Sequence, residues 1–474
     1  MKKGDGRLTH RMLFRTYRES RNHEEKRALE KLMADIRKDF RSELGANNPK
    51  EKSLARLSGE LHDLLSQNHL FEQTAREKKA REQKRKKLEA EISRLSAEIK
   101  EMQSGRMYHN AFEWKFEFPE VLSDEGDFVG FDMVIGNPPY GVSFTAQEKE
   151  FFRENYESAR TVKDMQKGST DSFSLFMDKG LQLCSTNAIL SYIVPLSFVS
   201  GESMSALHNM MFRTCETIRV STYSNRPQKI FENADQRTAI VICHKNGRPT
   251  QNLYTTKVNK RYEDLAADVI KHLQHDGYPW VKYGRIPKVG SEIEIGILQK
   301  LFAIKTGLSD LFDEKGLPVY YRIAGGRYYN IITNFSTNST QEKFFLVKKN
   351  YQNLIGAVLS SNLYYWFSHI YSDNLHLKSY ELEIFPVPAE KFTAKQIKTI
   401  DRLYKDYLAD LHKNSKVKKA DYANTDSYRE YYARHSKQLI DKIDLAVQKA
   451  YGLTDEEIRF IINYDLEFRT DNEE

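Results

Sequence analysis

The sequence predicts an α/β protein with a charged helical segment on its N-terminal side. Three observations lead there. Short apolar runs at 131–136, 188–194, 217–223 and 237–244 read as buried strands. Stretches with apolar residues at helical spacing lie between several of them. Before residue 106 there is helical periodicity and almost no strand signal. Strands separated by helices argue for a parallel sheet.

Residues 20–106 read as helix. Leu54, Leu57, Leu61 and Leu64 recur at spacings of three, four and three, and Leu88, Ile92, Leu95, Ile99 and Met102 repeat the pattern. This is the apolar seam of a helical hairpin or short coiled coil. Gly45-Ala46-Asn47-Asn48-Pro49 is a break that ends a helix. The run Arg81 to Lys87 carries five basic residues. It is either a solvated helix face or an arm that contacts phosphates.

From Ser104 the texture changes. Phe112, Trp114, Phe116, Phe118 and Val121 mark a short extended aromatic segment. Helices are expected at 146–156, at 171–184 with Phe173, Phe176, Met177 and Leu181 on one face, and at 203–215. The alternating block ends near the turn signal Asn246-Gly247. Residues 290–390 are rich in Tyr, Phe, Asn and Gly, with mixed short strands and helices. Residues 392–412 and 427–462 read as polar helices, joined by a polar, basic linker from Lys413 to Thr425. The expected domains are 1–106, 107–250, 251–390 and 391–474.

Composition narrows the class. The chain has 474 residues, 40% hydrophobic and 29% charged, enough for a sizeable core and roughly three average domains. No run approaches ~18 consecutive apolar residues, so no spanning helix and no membrane partner is expected. Cys184, Cys215 and Cys243 lie far apart in sequence, which argues against a disulfide framework and a cysteine zinc site. Met1-Lys2-Lys3-Gly4-Asp5-Gly6 lacks a hydrophobic signal region, so a cytoplasmic location is expected. Histidines such as His62, His69, His369 and His376 lack paired ligand spacing, and no metal is expected. The net charge is +7. Residues 1–106 hold 27 basic and 18 acidic residues, leaving 46 and 48 for the remainder. That bias is compatible with nucleic acid, and equally with a solvated helical face.

One motif carries chemistry. Asn137-Pro138-Pro139-Tyr140 follows directly on the strand at 131–136. Two prolines stiffen the loop and remove backbone donors. The asparagine amide adds an acceptor and a donor, and the tyrosine offers a flat face. Ligands bind at strand ends in open α/β sheets. The pattern suits gripping a planar, amino-bearing group; in isolation it is also a plain strand-terminating turn.

With its surroundings, this segment resembles the adenine-specific DNA methyltransferases of restriction–modification systems, in the type IIG branch. The resemblance rests on Phe116-Glu117-Phe118-Pro119-Glu120-Val121 and on Gly130 through Tyr140. Asp171-Ser172-Phe173 with Phe176 is similar to the family's fifth motif, and Ile193-Val194-Pro195-Leu196-Ser197-Phe198 to its sixth. Phe231-Glu232-Asn233-Ala234-Asp235 matches the region before its last strand. Asn362-Leu363-Tyr364-Tyr365-Trp366 with Phe385-Pro386-Val387-Pro388 resembles its target-recognition domain, and Tyr451 to Ile458 its closing helix. Together they span roughly residues 105–465.

The resemblance implies a partial class I, Rossmann-like methyltransferase sheet, preceded by the helical hairpin and followed by a mixed α/β target-recognition domain. It implies S-adenosylmethionine as cofactor, with Asp171 and Phe176 touching it, and duplex DNA as substrate. Asn137, Pro138, Pro139 and Tyr140 become the catalytic residues: Asn137 and the Pro138 carbonyl hold the adenine amine, and Tyr140 stacks on the base. One departure is large. No strand, glycine turn and helix precede residue 131, so the cofactor-binding half is missing. The chain is expected to be the C-terminal portion of a longer enzyme, partnered by an N-terminal fragment or subunit. Its strand at 131–136 would then form an unprotected sheet edge. Two other readings stay open: a non-catalytic DNA-recognition subunit or remnant using residues 290–390, and an RNA or protein-glutamine methyltransferase. No nuclease is expected.

Overall fold

The computed structural model describes residues 49–66, 75–103, 127–260, 269–272, 284–323, 330–373, 377–419 and 427–470, with scattered positions before residue 127. The chain divides into two compact units, Met1–Phe131 and Asp132–Glu474. The predicted break at Gly45–Asn48, and Phe112 and Phe116, lie outside the described residues.

In the first unit, α1 (Pro49–Ser66) and α2 (Ala75–Gln103) pack together. Leu57, Leu88 and Leu95 are buried at their contact, flanked by Leu54, Leu61, Leu64 and Ile92. The basic run on α2 is partly engaged. Arg81 donates to the Leu64 carbonyl, and Arg85 pairs with Glu82 at 2.8 Å and Glu89 at 3.6 Å. Such exposed pairs contribute little stability. Trp114, Phe118 and Phe128 gather around Phe131 with ring centroids 5.2–6.3 Å from it.

The second unit is built on a six-stranded sheet. Its elements are β1 (Phe131–Gly136), α3 (Ala146–Asn155), α4 (Ser172–Leu183), β2 (Cys184–Pro195), α5 (Ser205–Thr214), β3 (Cys215–Tyr223), β4 (Thr238–Lys245), β5 (Asn252–Asn259) and β6 (Val269–His272). The strand order is β1-β2-β4-β3-β5-β6.

The sheet is mixed, which corrects the expected parallel one. β4 runs antiparallel to both neighbours, with Val241 opposite Tyr192 on β2 and Val220 on β3. β3 and β5 are parallel, β5 and β6 antiparallel. The physical reason lies in residues 224–237, which form no helix. Without a crossover helix the chain returns directly, and a direct return is antiparallel. The sheet also continues past Asn246-Gly247, since β5 and β6 extend it.

Leu190, Val194, Val220, Val241 and Leu253 are fully buried in its core. Each such burial contributes roughly 1.5–3 kcal/mol. The free thiols of Cys184, Cys215 and Cys243 are buried there too.

β1 departs from the buried strand the sequence predicts. It ends the strand order. Val134 packs on the core, but Met133 and Ile135, on the opposite face, are 61% and 74% exposed. Phe131, on that same face, packs against Trp114, Phe118 and Phe128, so only its Met133–Ile135 end lies open. An apolar run normally buried on both sides is buried on one.

The rest of this unit holds α6 (Glu292–Phe302), a three-stranded sheet of β7 (Phe312–Arg322), β8 (Ile332–Thr333) and β9 (Glu342–Val347), then α7 (Gln352–Ser360), α8 (Asn362–Tyr371) and α9 (Ala394–Lys413). A ribbon of β10 (Lys416–Lys419) and β11 (Ser427–Glu430) follows, then α10 (Lys437–Val447) and α11 (Asp455–Asn463). The ribbon replaces part of the expected linker, and Ser427–Glu430 is strand where helix was expected. The aromatic cluster on α8 is core. Tyr364, Tyr365, Trp366 and Phe367 are at most 3% exposed, and Trp366 Nε1 donates to Glu294 at 3.1 Å. Asn362 is buried and bonded to Asp444 and Asp441. None of these side chains is free to read a base. Gly356 lets the Tyr404 ring approach, since a Cβ there would lie 2.4 Å from it. Phe385 to Pro388 is buried against Tyr451, whose hydroxyl donates to the Pro386 carbonyl at 3.0 Å.

Candidate functional site

β1 delivers the Asn-Pro-Pro-Tyr loop to the end of the sheet. The strand stops at Gly136, since neither proline that follows can donate to a ladder. Pro138 is buried, Asn137 and Pro139 are exposed, and Tyr140 is half-buried against the sheet core.

Two ties hold the loop. The Ser172 hydroxyl, in the first turn of α4, donates to the Pro139 carbonyl at 2.6 Å. The Tyr140 hydroxyl donates to the Ile193 carbonyl on β2 at 2.8 Å. Burial pushes the Tyr140 hydroxyl up to about 12, so it is neutral at physiological pH and is no proton acceptor. These ties satisfy Pro139 and Tyr140. Among the described residues, none donates to the Pro138 carbonyl or to the Asn137 side chain. The Asn137 amide and the Pro138 carbonyl, on neighbouring residues, are thus unmatched among the described residues. Such a pair matches the two hydrogens of a primary amine.

Asp171 and Phe176 lie on the same helix, α4, whose Ser172 holds the loop. Asp171 is the N-cap of α4, yet its carboxylate makes no capping bond. Phe176 is 48% exposed. It lies four residues from Ser172, so the two share a helix face, and Ser172 touches Pro139. The structure ties the loop to α4 through Ser172 and to β2 through Ile193; no hydrogen bond or ring contact joins Asp171 or Phe176 to it among the described residues. Ser172 and Ile193 were not foreseen as ties. A serine just inside a helix start is a readable signal for the first; a backbone carbonyl such as that of Ile193 leaves none.

The segment leading into α4 also walls a cleft of about 710 Å³. Its polar lining includes Lys163, Gln166 and Asn209, and a Lys167–Glu202 pair at 2.7 Å closes one side.

Residues 21–231 match the family described as Eco57I restriction-modification methylase. A protein of Methanocaldococcus jannaschii named as a type II restriction enzyme and methyltransferase, RM.MjaORFECS2P, is 30% identical over 142 residues, covering 30% of this chain and 11% of its own length. The type II restriction enzyme and methyltransferase RM.Eco57I of Escherichia coli is 20% identical over 209 residues, covering 42% of this chain and 19% of its own. The Type IIL restriction-modification enzyme MmeI in complex with DNA aligns at 12% identity and a TM-score of 0.36, covering 72% of this chain and 55% of that one. The chain thus spans less than a fifth of these two curated relatives. No described helix is long and apolar enough to cross a membrane.

Proposed function

We propose that this chain supplies the catalytic loop and DNA-contacting portion of an adenine-N6 DNA methyltransferase. The observation that carries the reading is the unmatched acceptor pair of Asn137 and Pro138, held by Ser172 and Ile193. Adenine leaves the duplex and enters this site. Asn137 Oδ1 and the Pro138 carbonyl accept the two hydrogens of its exocyclic amine. That turns the amine lone pair out of conjugation with the ring and aims it at the methyl donor. The Tyr140 ring stacks on the base, worth ~1–3 kcal/mol by analogy with base–aromatic contacts. Its hydroxyl stays on Ile193 and takes no part in proton transfer. The amine sheds its proton after attack, so the gain comes from positioning.

S-adenosylmethionine supplies an electrophilic methyl group when bound. The uncapped Asp171 carboxylate and the exposed Phe176 ring fit one side of that cofactor. The sequence before residue 131 contains no glycine-rich turn after a strand to hold the other side. The uncovered face and free edge of β1 support the same conclusion. A partner polypeptide adds a strand beside β1 and a helix over Met133 and Ile135, completing a Rossmann-like sheet and the cofactor site.

The test offers unmethylated duplex DNA, RNA and bulk protein as acceptors of labelled methyl from S-adenosylmethionine. The chain is assayed alone and with a polypeptide carrying the glycine-turn half. N6-methyladenine in DNA is the expected product. Label in RNA or in protein glutamine instead would overturn the reading.

A further inference from the structure

We infer that the first turns of α9 form a phosphate-contacting face for duplex DNA. The inference rests on the DNA-methylase reading above and adds to it a surface outside residues 251–390. α9 is an amphipathic helix of 20 residues, with Thr393 and Gln396 forming its capping box. Ile400, Tyr404, Tyr407 and Leu411 are buried, which fixes its rotation. The opposite side then carries Lys395, Lys398 and Arg402, spaced three and four apart. All three are exposed, and they line a shallow depression of about 420 Å³.

These cations are not neutralised within the fold. Among the described residues no carboxylate pairs with them, whereas neighbouring Lys405 is held by Asp401 at 2.7 Å. Asp401 also accepts from Asn353 at 2.5 Å. It is the only acidic residue between Lys391 and Lys405, and it is already engaged. Surfaces that serve only solubility mix both signs; here the single acid on α9 before Asp406, Asp401, is taken up by Lys405 and Asn353. From Lys395 to Arg402 the helix rises about 10 Å. A duplex presents one phosphate per ~3.4 Å on each strand, so three phosphates lie within reach of three cations. The capped N-terminus adds its partial positive charge at the same end. Phosphate contacts fix register and orientation without reading sequence, the role left open once the α8 aromatics are seen to be core.

The experiment measures affinity of the full chain for a random-sequence DNA duplex against salt concentration. The variants are Lys395→Gln/Lys398→Gln/Arg402→Gln and a control triple, Lys442→Gln/Lys449→Gln/Arg459→Gln, whose residues are also exposed. The slope of log K against log salt is expected to fall by about 2.7 in the α9 triple, or ~0.9 per lost contact, and to stay unchanged in the control. An unaltered slope in the α9 triple, an equal fall in the control, or an effect confined to duplex RNA would each overturn the inference. If the unmodified chain binds no duplex at all, the DNA-methylase reading falls as well, which separates the two failures.

Discussion

At Asn137 and Tyr140 the motif divides its labour. Asn137 is exposed and bonded to nothing described, so replacing it removes no folded contact. Asn137→Ala is expected to abolish methyl transfer while leaving thermal unfolding within about 0.5 kcal/mol of the parent. Full transfer by the variant would contradict the assignment. Tyr140 is the opposite case. Its hydroxyl anchors the loop to Ile193, while its ring packs, half-buried, against the sheet core. Tyr140→Phe keeps the ring and loses the anchor, at a cost of about 1 kcal/mol in stability. Denaturant unfolding reads that cost, and a KM increase larger than the change in kcat would report a loosened loop. The stiff strand exit at Asn137–Tyr140 was legible in the sequence, because two prolines after an apolar strand cannot extend a ladder. Which acceptors stay free was not legible, since that depends on Ser172 and Ile193, brought in from other elements.

Elements respond to pH and to charge in ways the structure sets. His208 on α5 is buried, its Nε2 2.8 Å from the Phe198 carbonyl. Burial holds the imidazole down at about 4, with the Phe198 carbonyl opposing. An unfolded histidine titrates near ~6.5. The unfolded chain therefore binds the extra proton between those values. The stabilisation is complete above pH ~6.5 and is lost as pH falls towards ~4. The loss is expected to reach about 3 kcal/mol, read by urea unfolding across that window. His208→Gln should flatten the dependence; an equally steep one would contradict it. On β1 the exposed pair Met133 and Ile135 predicts association. Met133→Lys/Ile135→Lys should reduce self-association in light scattering with little change in stability; unchanged scattering would contradict it. The run 131–136 was readable as a strand because its apolar residues are contiguous. Its exposed face was not, because exposure depends on what else the sheet contains.

Across the whole molecule, sequence patterning located most helices and strands of the second unit but not the sense of pairing. β4 lies between β2 and β3 because 224–237 lacks a helix, a feature visible only as an absence of period. The ribbon at 416–430 was hidden because Lys416 to Lys419 is too charged to read as a strand. The aromatic run on α8 has helical spacing as well as base-stacking chemistry, and only burial decides between them. Among the described residues β1 ends the sheet with Met133 and Ile135 exposed, a feature whose physical consequence is a tendency to pair.

The most direct measurement is labelled-methyl transfer from S-adenosylmethionine to unmethylated duplex DNA, with Asn137→Ala as control. The account predicts no transfer by the chain alone, and transfer that appears when the glycine-turn half is added and disappears again in Asn137→Ala. Transfer by the chain alone would contradict the missing-half account. Transfer that survives Asn137→Ala would contradict the catalytic assignment itself.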